Sequence, residues 1–439
     1  MLLLLLFSQC AVYLAEYAHL DGNSGEIPFE MQMLSTSATG SLRELDGSLL
    51  IPSLIAVSSD GEAAAVMNSA AVIDEIYADV GRCLFSGLER KPVLVSEADW
   101  RQMTAMDSYV YVLYPSELPY QVVYAFSAAR EESDHTIRQA DSYVGVREVL
   151  LVPGESGVLT HMLVRGTGGV YSYSLDNTVS LDTFVGYKNA YPDMFHRGYV
   201  LADDSDVGFV IDEKISVRGI FASEGSAALL RSNSEHMDVV FRLLNFNPDK
   251  LRYHAEEDGT YVYVESHGNL RIDSRSIVYS SSEQGGIRLS KILGQDATGD
   301  IYTYLQTASY LIRRLSSMDI QYTGGDAHLR LKSLSSSGDS VTLIFAYFAD
   351  NIELYASVKQ LGLSITFTGD TIRSITYNTA VVRRSLSEYQ LMLQQWSKKQ
   401  MVGDTRAYMY LVYRMDANDI AIAGEWMAYP EARVGGGRR

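Results

Sequence analysis

The sequence predicts an α+β protein in which antiparallel β-meanders pack with amphipathic helices in two to three domains. Thirty tyrosines favour half-buried strands with one wet face, because tyrosine combines high strand propensity with a polar tip. Turn residues recur at short intervals, and two long segments carry apolar residues at helical spacing. A chain of 439 residues also exceeds one ordinary core, which favours more than one domain.

The charge balance limits the possible partners of this chain. Its net charge is −18, from 54 acidic and 36 basic residues. Nucleic-acid binding depends on clustered Lys and Arg that neutralise phosphates, so we expect no nucleic-acid partner. Anionic lipid headgroups would be repelled for the same reason, and any membrane attachment has to be hydrophobic. Two cysteines, Cys10 and Cys83, cannot build a disulfide framework, and no CxxC pair suggests structural zinc.

The first residues predict export or membrane attachment. The run 1–14 is apolar apart from Ser8 and Gln9, and the first charged residue is Glu16. This length fits a secretion-signal core better than a complete spanning helix. Two alternatives remain open: a short cleaved signal, or a signal anchor whose true start lies upstream. Lipidation of Cys10 is disfavoured, because Gln9 stands where a small residue is required. We expect a single-pass protein of the cell membrane, with the bulk of the chain extracytoplasmic.

The predicted organisation has five segments. They are a signal-anchor or transmembrane segment at 1–20, a helix-plus-sheet domain at 21–140, a mostly-β domain at 141–232, an α+β domain at 233–432 and a flexible tail at 433–439. The charged stretch 131–139 marks the edge of the first domain.

In the first domain, a helix is predicted after the Ser59-Asp60-Gly61 turn. Its buried face comprises Val66, Ala70, Ile73, Tyr77, Val80 and Leu84. We interpret Cys83 as a small core residue beside this face. Ser96 and Asp99 have the spacing of a capping box that opens a short helix around Trp100. A strand at 109–114 then leads to a turn bracketed by Pro115 and Pro119, and a helix follows at 120–126.

The second and third domains are predicted mainly from strands and turns. Strands at 147–152, 157–166 and 169–175 form a meander. A helix directs Met237, Phe241 and Leu244 inward and ends before Pro248. Two hairpins turn at Asp258-Gly259 and His267-Gly268. A second long helix buries Ile301, Leu305, Ala308, Ile312 and Leu315, and further strands follow, interrupted by a helix at 391–396.

No catalytic, cofactor-binding or metal-binding residues are predicted, and no cofactor is expected. The histidines show no metal-ligand spacing. The glycine-rich stretch 166–169 lacks phosphate-loop residues and is interpreted as a turn. Ser156 lies in PGESGV, which departs from the nucleophile-elbow spacing. Asp203, Asp204 and Asp206 lack the complete calcium loop, so a solvated acidic loop is the simpler interpretation.

Three segments resemble the YycH and YycI proteins, accessory regulators of the WalK/WalR cell-wall two-component system. They are SYVYVLYPSELPYQVVYAF at 108–126, NFNPDKLRYHAEEDGTYVYVESHGNLRIDSRSIVYSSSEQGGIRL at 245–289, and the elements that continue to AIAGEWMAY at 421–429. The resemblance implies a YycI-like C-terminal domain and a membrane-anchored accessory that modulates a WalK-like sensor histidine kinase. It also implies a YycI-like or YycH-like membrane partner, and it offers no catalytic residues.

Two other classes of function remain open from the sequence. One is an extracytoplasmic binding module for a cell-envelope glycan or peptide, for which stacked, exposed tyrosines are the expected feature. The other is an envelope hydrolase with a dispersed site, because catalytic triads are defined by geometry and not by order along the chain.

Overall fold

A computed structural model describes most of the chain beyond residue 44. The described residues are 45–131, 144–166, 168–176, 179–200, 209–211, 213–224, 234–248, 252–294, 297–323, 327–356, 361–391, 407–415 and 424–430. The predicted segments 1–20 and 433–439, the Asp203–Asp206 loop and nearly all of the 131–139 boundary lie outside them.

Helices and strands alternate in the first half of the described chain, and strands dominate the second half. The helices are α1 (Ala70–Leu88), α2 (Glu97–Thr104), α3 (Tyr120–Arg130), α4 (Leu181–Ala190), α5 (Ser234–Leu243), α6 (Leu289–Leu293) and α7 (Ile301–Thr323), after a 3₁₀ turn at Gly47–Leu49. The first strands are β1 (Leu54–Ser59), β2 (Glu62–Val66), β3 (Val93–Val95), β4 (Tyr109–Pro119), β5 (Gly145–Pro153), β6 (Leu159–Gly166), β7 (Gly169–Ser174), β8 (His196–Val200), β9 (Phe209–Ile211) and β10 (Ile215–Glu224). The remaining strands are β11 (Arg252–Ala255), β12 (Tyr261–Glu265), β13 (Gly268–Ile272), β14 (Ser276–Ser281), β15 (Ile287–Arg288), β16 (His328–Ser337), β17 (Ser340–Ala349), β18 (Ile352–Ala356), β19 (Gly362–Thr368), β20 (Thr371–Asn378), β21 (Ala380–Leu391), β22 (Ala407–Met415) and β23 (Gly424–Pro430).

Two large sheets and one ribbon organise these strands. The N-terminal sheet has nine strands in the order β3-β7-β6-β5-β4-β1-β2-β8-β9. The C-terminal sheet has twelve strands, in the order β11-β12-β13-β14-β20-β19-β17-β18-β22-β23 with β15 beside β20 and β16 beside β17. Strands β10 and β21 form a separate ribbon. Among the described pairs only β18–β22 is parallel. The predicted α+β class with antiparallel meanders is therefore confirmed.

The hydrophobic core runs through both sheets. Buried apolar residues from Leu45 to Tyr413 form one contiguous cluster in the described part of the chain. In the N-terminal sheet, all but the last residue of β5 are buried, so both faces are covered there. Helix α7 buries Leu305, Ala308, Ile312 and Leu315, as their spacing predicts, and Ile301 is half-buried against the core. Met237, Phe241 and Leu244 are buried on or just after α5.

The predicted first helix began too early. Val66 ends strand β2 opposite Ile55 of β1, and the helix runs from Ala70 to Leu88. Asp60 and Gly61 both have left-handed backbone angles, φ 54° and 79°. This pair therefore makes a two-residue hairpin turn between β1 and β2, and it does not start a helix. Ile73, Tyr77, Val80 and Leu84 are buried on α1 as predicted, and Cys83 is a buried free thiol.

Two further sequence predictions of local structure were wrong. The predicted turn between Pro115 and Pro119 is a continuation of β4, whose pairing with β5 shifts between Leu113 and Leu118. Pro115 falls in this interruption. No ladder hydrogen bond is required there, so the N–H that proline lacks is not needed. Leu391, predicted to begin a helix, ends β21 opposite Ile215. The rest of that predicted helix lies outside the described residues.

Hydrogen-bonded strand pairs connect the three predicted domains. Strand β4 pairs with β5 across the predicted division at residue 140. Strand β10 of the middle segment pairs with β21 of the C-terminal one. The division into 21–140, 141–232 and 233–432 stays a prediction, and the sheets themselves extend beyond each of its inner boundaries.

Candidate protein-interaction surface

Ser156 and the ends of the glycine-rich stretch 166–169 lie at turns between strands, and the Asp203, Asp204 and Asp206 stretch lies outside the described residues. Ser156 is exposed between β5 and β6. Gly166 and Gly169 face each other where β6 turns into β7, as predicted for that stretch. Among the residues with described positions, no three His, Cys, Asp or Glu side chains gather closely enough to hold a metal ion. No described helix is both long and apolar enough to cross a membrane.

The two sheets meet at a polar junction, which we define as Pro52, Ser53, Met67, Arg330 and Asn351. The Asn351 side-chain nitrogen donates to the carbonyl oxygens of Pro52, Ser53 and Met67, at 3.1, 3.3 and 3.2 Å. Arg330 Nη1 donates to Asn351 Oδ1 at 2.5 Å. Both side chains are buried. The amide has two N–H groups, so one of them is shared between two of the three main-chain acceptors of the N-terminal part.

Burial of Arg330 has an electrostatic consequence at this junction. Desolvation lowers the pKa of Arg330 to about 10, partly opposed by the negative charge of Asp74. The guanidinium remains charged at neutral pH, so its bond to Asn351 is charge-assisted. Two more bonds join the same regions: Asp46 N donates to Ser309 Oγ at 3.1 Å, and Ser116 Oγ donates to the Lys332 carbonyl at 2.6 Å. The junction is suited to holding the sheets together.

Strand β17 lies beside β16, the strand that carries Arg330 of the junction. Its outward side chains begin with the partly exposed Thr342 and Ile344 and continue with the buried Ala346 and Phe348. Thr342 shares a 3.1 Å hydrogen bond with Thr366 of the adjacent strand. The partly exposed side chains thus lie in the first half of β17, and its last five residues are buried.

The most exposed large apolar side chains occur at the ends of the two sheets. Val93 and Leu94 of β3 have 63% and 65% of their surface exposed, and Tyr253 of β11 has 64%. Strand β3 is the first strand of the N-terminal sheet and β11 is the first of the C-terminal sheet. Open edge strands with apolar side chains are recognised features of protein-binding surfaces. The sequence shows these residues, but it does not show that they lie at edges.

Tyr253 belongs to a group of aromatic rings on one face of the β11–β12 hairpin. Its ring centroid lies 6.0 Å from that of Tyr261 and 5.7 Å from that of Tyr263. Tyr263 in turn contacts Phe241 of α5 edge-on, at 4.9 Å. The exposed Tyr253 ring therefore rests on Tyr263, which is itself packed against helix α5.

These features define an α+β protein with two sheets on one core and open, partly aromatic edges. The chain is similar in fold to YycH from Bacillus subtilis, with a TM-score of 0.58 over 90% of this chain and 97% of that one, at 12% sequence identity. No family model and no curated protein matches the sequence. The resemblance to YycH seen in the sequence is thus confirmed for the fold.

Proposed function

We propose that this protein is a membrane-attached, extracytoplasmic accessory that binds a sensor histidine kinase of a cell-wall two-component system and modulates its activity. The observation that carries the proposal is the shared fold with YycH along nearly the whole of both chains. The apolar leader at residues 1–14 supports the location, and the exposed apolar edges support action by binding. A YycI-like or YycH-like membrane protein is the second proposed partner.

The proposed mechanism is a shift in the population of kinase states. An accessory changes kinase output only if it binds the two signalling states with different affinity. A coupling of about 1 to 3 kcal/mol changes the ratio of states by roughly 5- to 150-fold. In this mechanism the accessory performs no catalysis, and it needs no cofactor.

Cross-linking in the native membrane tests this proposal. The full-length chain is tagged at its C-terminus, cross-linked in cells and purified, and the captured proteins are identified by mass spectrometry. We expect a sensor kinase together with a second YycH-like or YycI-like protein. A kinase whose extracytoplasmic domain is exchanged for an unrelated one is the control and is expected to lose the cross-link. Recovery of the chain from the soluble fraction without a kinase would refute the proposal.

A second candidate function is a binding module for a cell-envelope glycan or peptide. The exposed Tyr253 ring beside Tyr261 favours it, because aromatic rings supply flat contact area for such ligands. Titration of the full chain with soluble peptidoglycan fragments, followed by tyrosine fluorescence, tests it. A Tyr253→Ala variant is expected to abolish the response, and a response that persists in this variant would place the ligand elsewhere.

A further inference from the structure

Strand β11 is an open edge of the C-terminal sheet. Its one partner in the described part of the chain is β12, and all four of its residues, Arg252 to Ala255, are exposed. An edge strand offers main-chain donors and acceptors on the side away from its partner. The shape of this edge therefore fits the addition of another extended segment.

The hairpin register determines which backbone groups are available. Glu256 N donates to the Thr260 carbonyl at 2.8 Å, so these two residues form a hydrogen-bonded pair. Hydrogen-bonded and non-bonded pairs alternate along an antiparallel ladder. Tyr253 and Ala255 therefore occupy non-bonded positions, opposite Tyr263 and Tyr261. Their N–H and C=O groups point away from β12 and can pair with an incoming strand.

The two faces of this edge differ in chemistry. On one face, Tyr253 lies beside the rings of Tyr261 and Tyr263. On the other face, Arg252 and His254 are exposed and lie opposite Val264 and Val262 of β12. Arg271, two strands away on this second face, already forms a bidentate ion pair with Glu256 at 2.6 and 3.0 Å. Arg252 and His254 are the basic groups of β11 that face solvent.

We propose that β11 is a docking site for an extended segment of a partner protein in which apolar and acidic side chains alternate. A strand added to β11 places successive side chains on opposite faces. Its apolar residues would contact Tyr253, and its acidic residues would lie near Arg252 and His254. This proposal rests on the proposed function, because it names the surface by which the accessory binds a protein.

Charge argues against a second copy of this chain as the occupant. The net charge of −18 adds repulsion between two copies. A short acidic segment of a different protein meets the exposed Arg252 side chain at this edge, where Glu256 is already paired with Arg271.

The first test uses two synthetic peptides and the full-length chain. The acidic probe is a fluorescent decapeptide of alternating valine and glutamate, and its matched control alternates valine and lysine. We expect fluorescence anisotropy to show at least tenfold tighter binding of the acidic peptide. Amide hydrogen exchange is expected to slow at Tyr253 and Ala255. Equal affinity for the two peptides, or protection confined to another strand, would overturn the proposal.

Three variants make the test specific to the edge. Ala255→Pro removes an outward N–H without removing a β11–β12 hydrogen bond. It is expected to weaken the binding of the acidic peptide at least tenfold. The double variant Arg252→Glu with His254→Glu is expected to reverse the preference between the peptides. Lys291→Glu on α6 also replaces a basic residue by an acidic one, but away from β11. It is expected to leave the binding of both peptides unchanged. Thermal unfolding checks that each variant is folded, and unchanged peptide affinity in folded Ala255→Pro would refute strand addition.

Two additional outcomes separate this proposal from its alternatives. If an N-acetylglucosamine hexamer protects Tyr253 while neither peptide binds, the edge is a glycan site and strand addition is wrong. If Ala255→Pro retains the kinase cross-link in membranes and both peptides fail to bind, the kinase is bound at another surface. The proposed function would then stand without this docking site.

Discussion

At the scale of single residues, the Asn351 side chain joins the two sheets through hydrogen bonds to Arg330, Pro52, Ser53 and Met67. Asn351 occupies a left-handed conformation, φ 67°, beside Asp350 at φ 49°. Together these two residues turn β17 into β18 and direct the Asn351 amide into the junction. The turn itself is local chemistry, because Asp and Asn favour left-handed angles. The junction contacts do not follow from local sequence, because Pro52, Ser53 and Met67 are distant in the chain. By contrast, the Ser96–Asp99 capping box was predicted correctly, because both of its members lie within one helical turn.

Replacing Asn351 tests the junction. Asn351→Gly keeps the left-handed backbone accessible but leaves three carbonyls, two of them in buried contacts, and the Arg330 guanidinium without this partner. We expect a loss of about 2 to 4 kcal/mol in the free energy of unfolding, measured by urea titration. Asp350→Gly is the matched control at a neighbouring left-handed position, where the partly exposed ion pair with Arg384 is worth at most about 1 kcal/mol. Equal losses in the two variants would contradict this account.

His196 provides a pH-dependent test. Burial lowers the pKa of His196 below its usual value of 6.5, although the nearby carboxylate of Glu213 raises it. The unfolded chain therefore binds a proton at a higher pH than the folded chain does. Stability associated with His196 is complete above pH 6.5 and decreases as the pH falls towards the lowered pKa. In a comparison of urea unfolding at pH 7.5 and 5.5, we expect His196→Gln to lose less stability than the unchanged protein. An identical pH dependence would contradict the assignment.

At the scale of elements, the hairpins were the most predictable features. Asp258-Gly259 and His267-Gly268 lie at or beside the observed turns between β11, β12 and β13, because turn chemistry is local. Val66 was misplaced although its turn is local, because Asp60-Gly61 was interpreted as a helix start and not as a hairpin turn. Pro115 and Leu391 were placed in the wrong elements for a different reason. Each is held in a strand whose partner lies far away in the chain, and apolar spacing does not report such pairing. The openness of the β11 edge was missed for the same reason.

Two glycines with positive φ allow a test of strand packing. Gly362 opens β19 with φ +112°, and an added Cβ would collide with the Phe345 carbonyl oxygen. Gly338, in the turn between β16 and β17, has φ +57° and open space around it. Gly338→Ala is expected to cost about 1 to 2 kcal/mol from its backbone conformation alone. Gly362→Ala combines a conformational cost with a main-chain clash, so we expect a larger loss in urea unfolding. Comparable losses would show that β19 shifts to accept the methyl group.

At the scale of the whole molecule, the continuous core and the junction predict that the two sheets unfold together. Trp100 lies in α2 beside the N-terminal sheet, and Trp426 lies in β23 of the C-terminal sheet. Single-tryptophan variants that retain one or the other report on the two sheets separately. We expect coincident urea transitions from both probes. Adding Asn351→Gly is expected to move the transitions apart, and separate transitions without that change would show that the junction does not couple the sheets.

Strand β10 is synthesised long before β21, the strand with which it pairs. Residues 215–224 leave the ribosome long before residues 380–391, yet each strand completes the other. Until synthesis has passed Leu391, β10 is an unmatched strand with apolar residues such as Val217 and Ile220, which are buried in the finished protein. A nascent chain that pauses between these points is at risk of aggregation, so shielding of β10 by a chaperone would matter most in that interval.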